Sequence, residues 1–284
     1  MFPRAKKSFG QNFLTDQSVV AGILTAADIR SGERVLEIGP GAGVLTKALL
    51  GAGANLIAVE ADTDLISGLQ TNLPAFFRQR GTSRLARREP VLNLPKNGGR
   101  LRLIAGDILS LRKTDPSLHG QLEEGAYKLV ANIPYNITSA ILEEFLSASA
   151  RPFRLVLMVQ REVADRIIAK PPGMSLLSVM CQLYATVKKA LNVPRGAFRP
   201  SPHVDSAVIV LDLRPSVPHA EDVIRLAKAG FAARRKQLHG NLAHAGFGTS
   251  TSIKEVLTKI GMRPDARAEM LKPEDWITLW KAMK

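Results

Sequence analysis

Short apolar stretches recur along the first half of the chain, each bounded by Gly, Pro, Asn or Asp. They read RVLEIG (34–39), NLIAVEAD (55–62), LRLIAGDIL (101–109), YKLVANIPY (127–135) and FRLVLMVQ (153–160). Between them, GVLTKALLGAG (43–53), DLISGLQTNL (64–73) and SAILEEFLSA (139–148) space their apolar residues as a helix does. Strands that alternate with helices must pair in parallel through crossovers, so the expected fold class is α/β with a doubly wound, mostly parallel sheet. A later strand, SAVIVLDL (206–213), is expected to pair with LYATVKKALNV (183–193) at one sheet edge.

After Arg214 the pattern changes. PSVPHAED reads as a linker, and the rest is helical: AEDVIRLAKAGFAARRKQLHGNLA, SIKEVLTKIG and PEDWITLWKAM. The last begins Pro-Glu-Asp, a helix start with acids in its first turn. The expected division is a larger domain over 1–214 and a small helical domain over 215–284. Residues 76–100, FFRQRGTSRLARREPVLNLPKNGGR, fit neither pattern and read as a basic insertion.

Charge narrows the function classes. The chain has 39 Lys and Arg against 25 Asp and Glu, a net charge of +14, which points to a polyanionic partner, nucleic acid first. The charge is clustered: eight basic residues and one acidic residue lie between Phe76 and Arg102, and Arg234-Arg235-Lys236 form a second run. The single cysteine, Cys181, excludes an internal disulfide and reads as core. The five histidines show no metal-ligand spacing, so no metal is expected. No apolar run approaches the roughly 20 residues that span a bilayer, and the basic N-terminus lacks the apolar core of a secretory signal. A cytoplasmic location and no membrane partner are expected.

The turn EIGPGAGVLT (37–46) follows a strand and opens a helix. Its glycines let the backbone approach a ligand, and the helix N-terminus supplies free N–H groups. Such turns serve both dinucleotides and S-adenosylmethionine (SAM). The register Gly-Pro-Gly-Ala-Gly and the acidic Glu37 inside the preceding strand weigh against a dinucleotide. Glu60 ends the next strand, where a carboxylate can accept both ribose hydroxyls of an adenosine. Asp107, at the end of the third, is placed to accept from an adenine amino group.

The fourth strand ends in Asn132-Ile133-Pro134-Tyr135, at the same sheet edge. An adenine amino nitrogen is a poor nucleophile because its lone pair is delocalised into the ring. The Asn132 side-chain oxygen and the Ile133 carbonyl could bind its two hydrogens and favour a pyramidal nitrogen. Pro134 sets the direction of that carbonyl. Tyr135 offers a ring face for stacking, worth about 1–3 kcal/mol per base. A plain turn explains the Asn and Pro but not the aromatic after them. The residues alone thus reach a SAM-dependent amino-methyltransferase acting on nucleic acid.

With these motifs in place, the chain resembles the ribosomal RNA adenine dimethyltransferase family over nearly its whole length. KKSFGQNFLTD (6–16), VLEIGPGAGVLT, VEAD, GDIL, NIPYNI, GAFRPSPHVDSAVIVL (196–211), FAARRKQLHGNL (231–242) and RPDARAEMLKPEDWITL (263–279) match its motifs in order. The resemblance implies a Rossmann-like SAM-dependent methyltransferase with a C-terminal rRNA-contacting helical domain. It implies SAM contacts at Asn12, Leu14, Gly39, Glu60, Asp107 and Asn132. It places the target adenine at Asn132, Pro134 and Tyr135, with Phe198 as a second aromatic wall, and puts Gln11 near the cofactor. The implied reaction dimethylates two adjacent adenosines of 16S rRNA in a pre-30S particle, by a monomer. Two rivals remain: a 23S rRNA methyltransferase of the erythromycin-resistance type, and a non-catalytic RNA-binding assembly factor of the same fold. A dehydrogenase would need a hydride-transfer partner that the sequence does not offer.

Overall fold

The computed structural model describes residues 5–6, 9–73, 91–93, 100–147, 149–215 and 217–284. The basic stretch 76–100 lies outside them, apart from Val91–Asn93 and Arg100. The chain runs β1 (Phe13–Leu14), α1 (Gln17–Ala27), β2 (Arg34–Ile38), α2 (Val44–Gly51), β3 (Asn55–Glu60), α3 (Thr63–Asn72), β4 (Val91–Asn93) and β5 (Arg100–Ala105). It continues with α4 (Ile108–Thr114), α5 (Pro116–His119), β6 (Lys128–Asn132), α6 (Thr138–Ser147), β7 (Arg154–Gln160), α7 (Arg161–Ile167) and α8 (Leu176–Tyr184). Then come β8 (Ala185–Val193), β9 (Phe198–Arg199), β10 (Ser206–Leu213) and four helices, α9 (Ala220–Gly230), α10 (Leu238–His244), α11 (Ser250–Lys259) and α12 (Pro273–Ala282).

Eight strands form one sheet in the order β4-β5-β3-β2-β6-β7-β10-β8. The middle five pair in parallel, as the strand–helix alternation requires, while β4 and β10 pair antiparallel to β5 and β7. The expected edge partnership of 206–213 with the preceding strand is there: β8 lies outside β10. From β2 the chain winds outward through β3 to β5, then returns to place β6 on the other side of β2. That reversal at β2 is the topological switch point of a doubly wound sheet, where a crevice opens beyond the carboxyl ends of the strands.

Helix boundaries follow local chemistry. Asp16 caps α1, its carboxylate accepting from the N–H groups of Ser18 and Val19, and the helix buries Val19, Val20, Ile23 and Ala27 along one face. These pack with Leu49 and Leu50 of α2, and with Val35, Leu56, Leu103 and Val156 from the sheet, in one apolar cluster. Strands covered on both faces must be apolar throughout. Beyond its half-buried first residue, Arg34, strand β2 obeys this except at Glu37, which is 1% exposed.

The chain divides into two compact units, Met1–Ala164 with Lys188–Leu213, and Asp165–Val187 with Arg214–Lys284. The chain passes between them three times, the last at 213/214, one residue before the expected division at 214/215. The segment 165–187, expected in the larger domain, packs with the second unit instead. Its helix α8 contacts α9 and α12, and the Met174 N–H donates to the Glu269 carbonyl at 3.2 Å. Cys181 on α8 is fully buried, as expected, and burial pushes its thiol pKa up.

The expected long helix through AEDVIRLAKAGFAARRKQLHGNLA breaks in two. Helix α9 stops at Gly230, and Arg234, Arg235 and Lys236 lie exposed on the turn before α10. Buried Asn241 explains the break: its Nδ2 donates to the carbonyls of Gly230 at 2.6 Å and Ala233 at 3.1 Å, replacing helical partners. Gly230 itself sits against the fully buried Trp276 of α12, and an added Cβ would lie 2.8 Å from Leu238 Cδ1 and closer still to the Trp276 ring. Gly230→Ala is therefore expected to destabilise the protein by about 1–3 kcal/mol through overpacking, read as a lowered urea midpoint. An unchanged midpoint would mean that the Trp276 ring can give way.

Candidate functional site

Strands β2, β3, β5 and β6 end at one edge, and their last residues are tied across it. The Gly39 N–H donates to the Val59 carbonyl at 2.9 Å, and the Gly106 N–H to the Glu60 carbonyl at 2.8 Å. Beyond these ends opens a cavity of about 340 Å³, large enough for a cofactor-sized ligand. Gly39 follows β2, Glu60 ends β3, Asp107 follows β5 and Asn132 ends β6; all four line it, together with Pro134, Tyr135 and, from the N-terminal segment, Asn12. Ile38, Val59, Leu65 and Ile108 supply apolar wall between these polar groups.

The glycine turn sets the carboxylate. Gly39 and Gly41 take φ of +66° and +59°, a left-handed backbone that L side chains rarely adopt. That conformation aims the Gly41 N–H at one Glu60 oxygen, 3.0 Å away, while the Asp62 N–H meets the other at 2.9 Å. Glu60 is 5% exposed, and burial raises its pKa although these backbone donors oppose the shift. Each oxygen keeps acceptor capacity for a sugar hydroxyl. Asp107 caps α4, its Oδ1 accepting from the Ser110 N–H at 2.9 Å.

Asn132 and Tyr135 are both oriented by long-range bonds. Asn132 Nδ2 donates to the Asn12 carbonyl at 3.1 Å, so the amide oxygen is the atom left to accept. The Tyr135 hydroxyl pairs with Ser206 Oγ at 2.6 Å, on β10, and burial raises the phenol pKa. Asn12 itself is held by the short sheet β1–β9, where Leu14 pairs with Phe198, and by the Thr15 N–H, which donates to the Ala197 carbonyl at 2.8 Å. Beside it, Gln11 Nε2 donates to Asp62 at 2.9 Å, and Lys6 Nζ bridges Asp62 and Asp64 at 2.6 and 2.7 Å.

Two expected residues do not reach the larger cavity. Phe198 is 2% exposed and packs in the apolar cluster with Val193 and Ala197, so it does not form the expected second aromatic wall. The strand pairing that fixes Leu14 opposite it turns both side chains into the core. Leu14 borders instead a separate void of about 30 Å³, with Glu37, Gly39 and Asn132. Among the described residues, the aromatics that do line the larger cavity, besides Tyr135, are Phe9 and Phe13. Both stand in SFGQNF, next to the expected Asn12, but nothing in their spacing distinguished them from core. Ser206 carries no sequence signal of this kind, since its contact with Tyr135 depends on the β7–β10 pairing.

Glu37 is the residue for which the sequence offered least explanation. Its Oε2 is buried with no hydrogen bond of good geometry, and its pKa is pushed up from 4.5 to about 8, chiefly by burial, against an opposing pull from the neighbouring Thr46 hydroxyl and with the Glu60 charge adding to the shift. Among the described residues no group of three or more His, Cys, Asp or Glu could hold a metal ion, and no helix is long and apolar enough to cross a membrane.

A doubly wound sheet with a glycine turn after its central strand and a pinned carboxylate ending the next defines the Rossmann-like methyltransferase class, whose methyl donor is SAM. The model of the family described as ribosomal RNA adenine dimethylase matches residues 3–284, and the chain belongs to that family. A ribosomal RNA small subunit methyltransferase A from Dehalococcoides mccartyi is 39% identical, the match covering 96% of this chain and 86% of that one. One from Thermosynechococcus vestitus is 37% identical, covering 99% and 97%. Among solved structures, a dimethyladenosine transferase from Plasmodium falciparum shares the fold with a TM-score of 0.73 at 24% identity, covering 94% of this chain and 95% of that one. The 23S rRNA methyltransferase ErmE gives 0.69 at 25%, covering 96% and 99%.

The Glu37 shift has a consequence for stability. The native state holds this proton more tightly than the unfolded chain does, so Glu37 adds stability that is complete below about pH 4.5 and is lost as pH rises through about 8. Glu37→Gln, which keeps the shape of the neutral acid, is expected to flatten that loss. Thermal melts at pH 5 and pH 8 check it: the drop in Tm should be smaller in the variant. Equal drops would mean that Glu37 is ionised in the folded protein.

Proposed function

We propose that this protein transfers methyl groups from SAM to the exocyclic nitrogen of adenosines in small-subunit rRNA, two to each of two adjacent bases near the 3′ end of 16S rRNA. The reading rests on Asn132, whose amide is held with its oxygen free to accept, at the end of β6 in the cavity that also holds Glu60 and Asp107. The small-subunit names of the curated relatives favour this substrate over the large-subunit one.

Bound SAM would supply an electrophilic methyl on a cationic sulfur. Glu60 holds the ribose hydroxyls, and Asp107 accepts from the cofactor's adenine amino group. The N–H groups of the glycine turn and the Asn12 segment close around the remaining polar end. On the substrate side, the Asn132 oxygen and the Ile133 carbonyl take the two amino hydrogens of the target adenine. Pro134, with φ of −53°, fixes the carbonyl's direction, and the Tyr135 ring supports the base. Drawing both hydrogens out of the ring plane localises the nitrogen lone pair for attack. No general base is needed beforehand, because the proton becomes acidic only once the methyl is on nitrogen. Positioning and fixed dipoles carry the step. The substrate is taken to be a pre-30S particle and the protein a cytoplasmic monomer.

The test is methyl incorporation from labelled SAM into unmethylated small subunits. Asn132→Ala is expected to lower the rate about a hundredfold or more, the usual cost of removing one preorganised polar contact. Tyr135→Ala is expected to lose about tenfold to a hundredfold, the stacking of one base, and Tyr135→Phe far less because the ring remains. Label entering large-subunit rRNA instead would favour the resistance-type activity, and SAM binding without any transfer would favour an assembly factor.

The exposed Arg234-Arg235-Lys236 turn is read as a phosphate contact. Neutralising all three is expected to weaken rRNA association and flatten its salt dependence, each lost phosphate contact lowering the log–log slope by about one. Binding that is unchanged across a salt series would remove the turn from the interface.

A further inference from the structure

The larger cavity and the void of about 30 Å³ share a wall made by Phe13, Gly39 and Asn132. Glu37 borders only the void. Its Oε2 is buried and without a hydrogen bond of good geometry, and it stands on the central strand, two residues before Gly39. A void of that size holds one water molecule, and two polar side chains, Glu37 and Asn132, border it. The Thr46 hydroxyl is the one side chain whose hydrogen bonding favours the charged form, and burial outweighs it; a carboxyl so poorly partnered is costly when ionised and tolerable when neutral. A cation arriving across that shared wall changes which form is favoured.

We propose that Glu37 is the proton-linked positioning group of the cofactor site: neutral while the site is free of cofactor, it ionises when a cationic ligand fills the larger cavity. The proton leaves through the void to solvent, and no covalent bond forms or breaks. The carboxylate left behind offsets the positive charge of the ligand across the shared wall and, through a water in the void, holds the Asn132 amide. The inference rests on the reading of the cavity as a SAM site, and SAM carries a cationic sulfur and an ammonium group.

The charges around Glu37 allow this. From β3 it feels Glu60, whose negative charge favours the neutral acid until a cation offsets it. On α2 the ionisable side chain is Lys47, which is exposed. On β6 it is Lys128, whose ammonium is engaged by Glu33 at 2.8 Å and the Asp28 carbonyl at 2.5 Å. The segment β1 brings only Phe13 and Leu14. No neighbouring cation therefore ionises Glu37 before the ligand arrives.

The experiment is titration calorimetry of SAM into the full-length protein in buffers of different ionisation enthalpy, repeated between pH 6 and 8. Wild type is expected to release on the order of one proton per SAM in the lower part of this range, so SAM affinity should rise with pH by up to about tenfold per unit. Glu37→Gln should bind SAM with that proton release and that slope removed. Infrared spectroscopy gives a reading that needs no variant: the band of a protonated buried carboxyl, present in the free protein, should disappear when SAM is added. Proton release that is absent from wild type, or equal in wild type and Glu37→Gln, overturns the proposal while leaving the SAM site intact. Failure of wild type to bind SAM overturns both.

Discussion

The reversal of strand order at β2 governs the rest of the molecule. With β3 on one side and β6 on the other, the connections leaving adjacent strands diverge to opposite faces of the sheet, and a cavity opens beyond their ends. Each strand then delivers one group to the gap: a glycine turn, Glu60, Asp107 and Asn132. The rigidity of the parallel ladder becomes the rigidity of the site. Glu60 is held by two backbone N–H groups and Asn132 by one carbonyl, so both acceptors are oriented before a ligand arrives. Orientation established during folding is not needed again during reaction, and that is how fixed dipoles lower a barrier.

The sheet edge alone would leave the site open on one side. The N-terminal segment closes it through contacts from far along the chain. Thr15 bonds to Ala197 across 182 positions, and the β1–β9 pairing sets Leu14 against Phe198. This is why Asn12, although early in the chain, stands next to Asn132 on β6. The Lys6, Gln11 and Asp62 network adds a charged clasp at the mouth, with Asp62 doubling as the N-cap of α3. The Tyr135 ring is positioned by a third distant element, through Ser206 on β10. The Asn12 end and the Tyr135 end of the cavity thus depend on the same late segment, residues 197–206.

Much of this was legible in the sequence because parallel strands announce themselves. A strand covered on both faces is apolar almost without interruption, so the few polar residues at its end stand out, and Glu60, Asp107 and Asn132 stood out for that reason. The exceptions have physical causes. Phe198 lies between two turns in a motif rich in proline, where periodicity does not say which way a ring points. The β1–β9 register turned it into the core, and Phe9 and Phe13 line the cavity instead. The basic run 234–236 looked helical because its residues are good helix formers, yet Asn241, buried a few residues later, takes the carbonyls the helix would have used. Glu37 was noticed as an acid within a strand, but its isolation is a property of packing.

The sequence by itself determined the class of fold, the order of its parallel elements, the strand-end acids and the Asn-Ile-Pro-Tyr corner, because these follow from local spacing and from what a doubly covered sheet tolerates. It also carried the family, through motifs in a set order. Tertiary structure alone decided which side chains share the cavity, which aromatic rings face it, where segment 165–187 packs, and that the Glu37 carboxyl is buried with one oxygen poorly partnered. Those are outcomes of register and long-range closure. They depend on residues far apart in the chain meeting at ångström precision, and no local pattern encodes that.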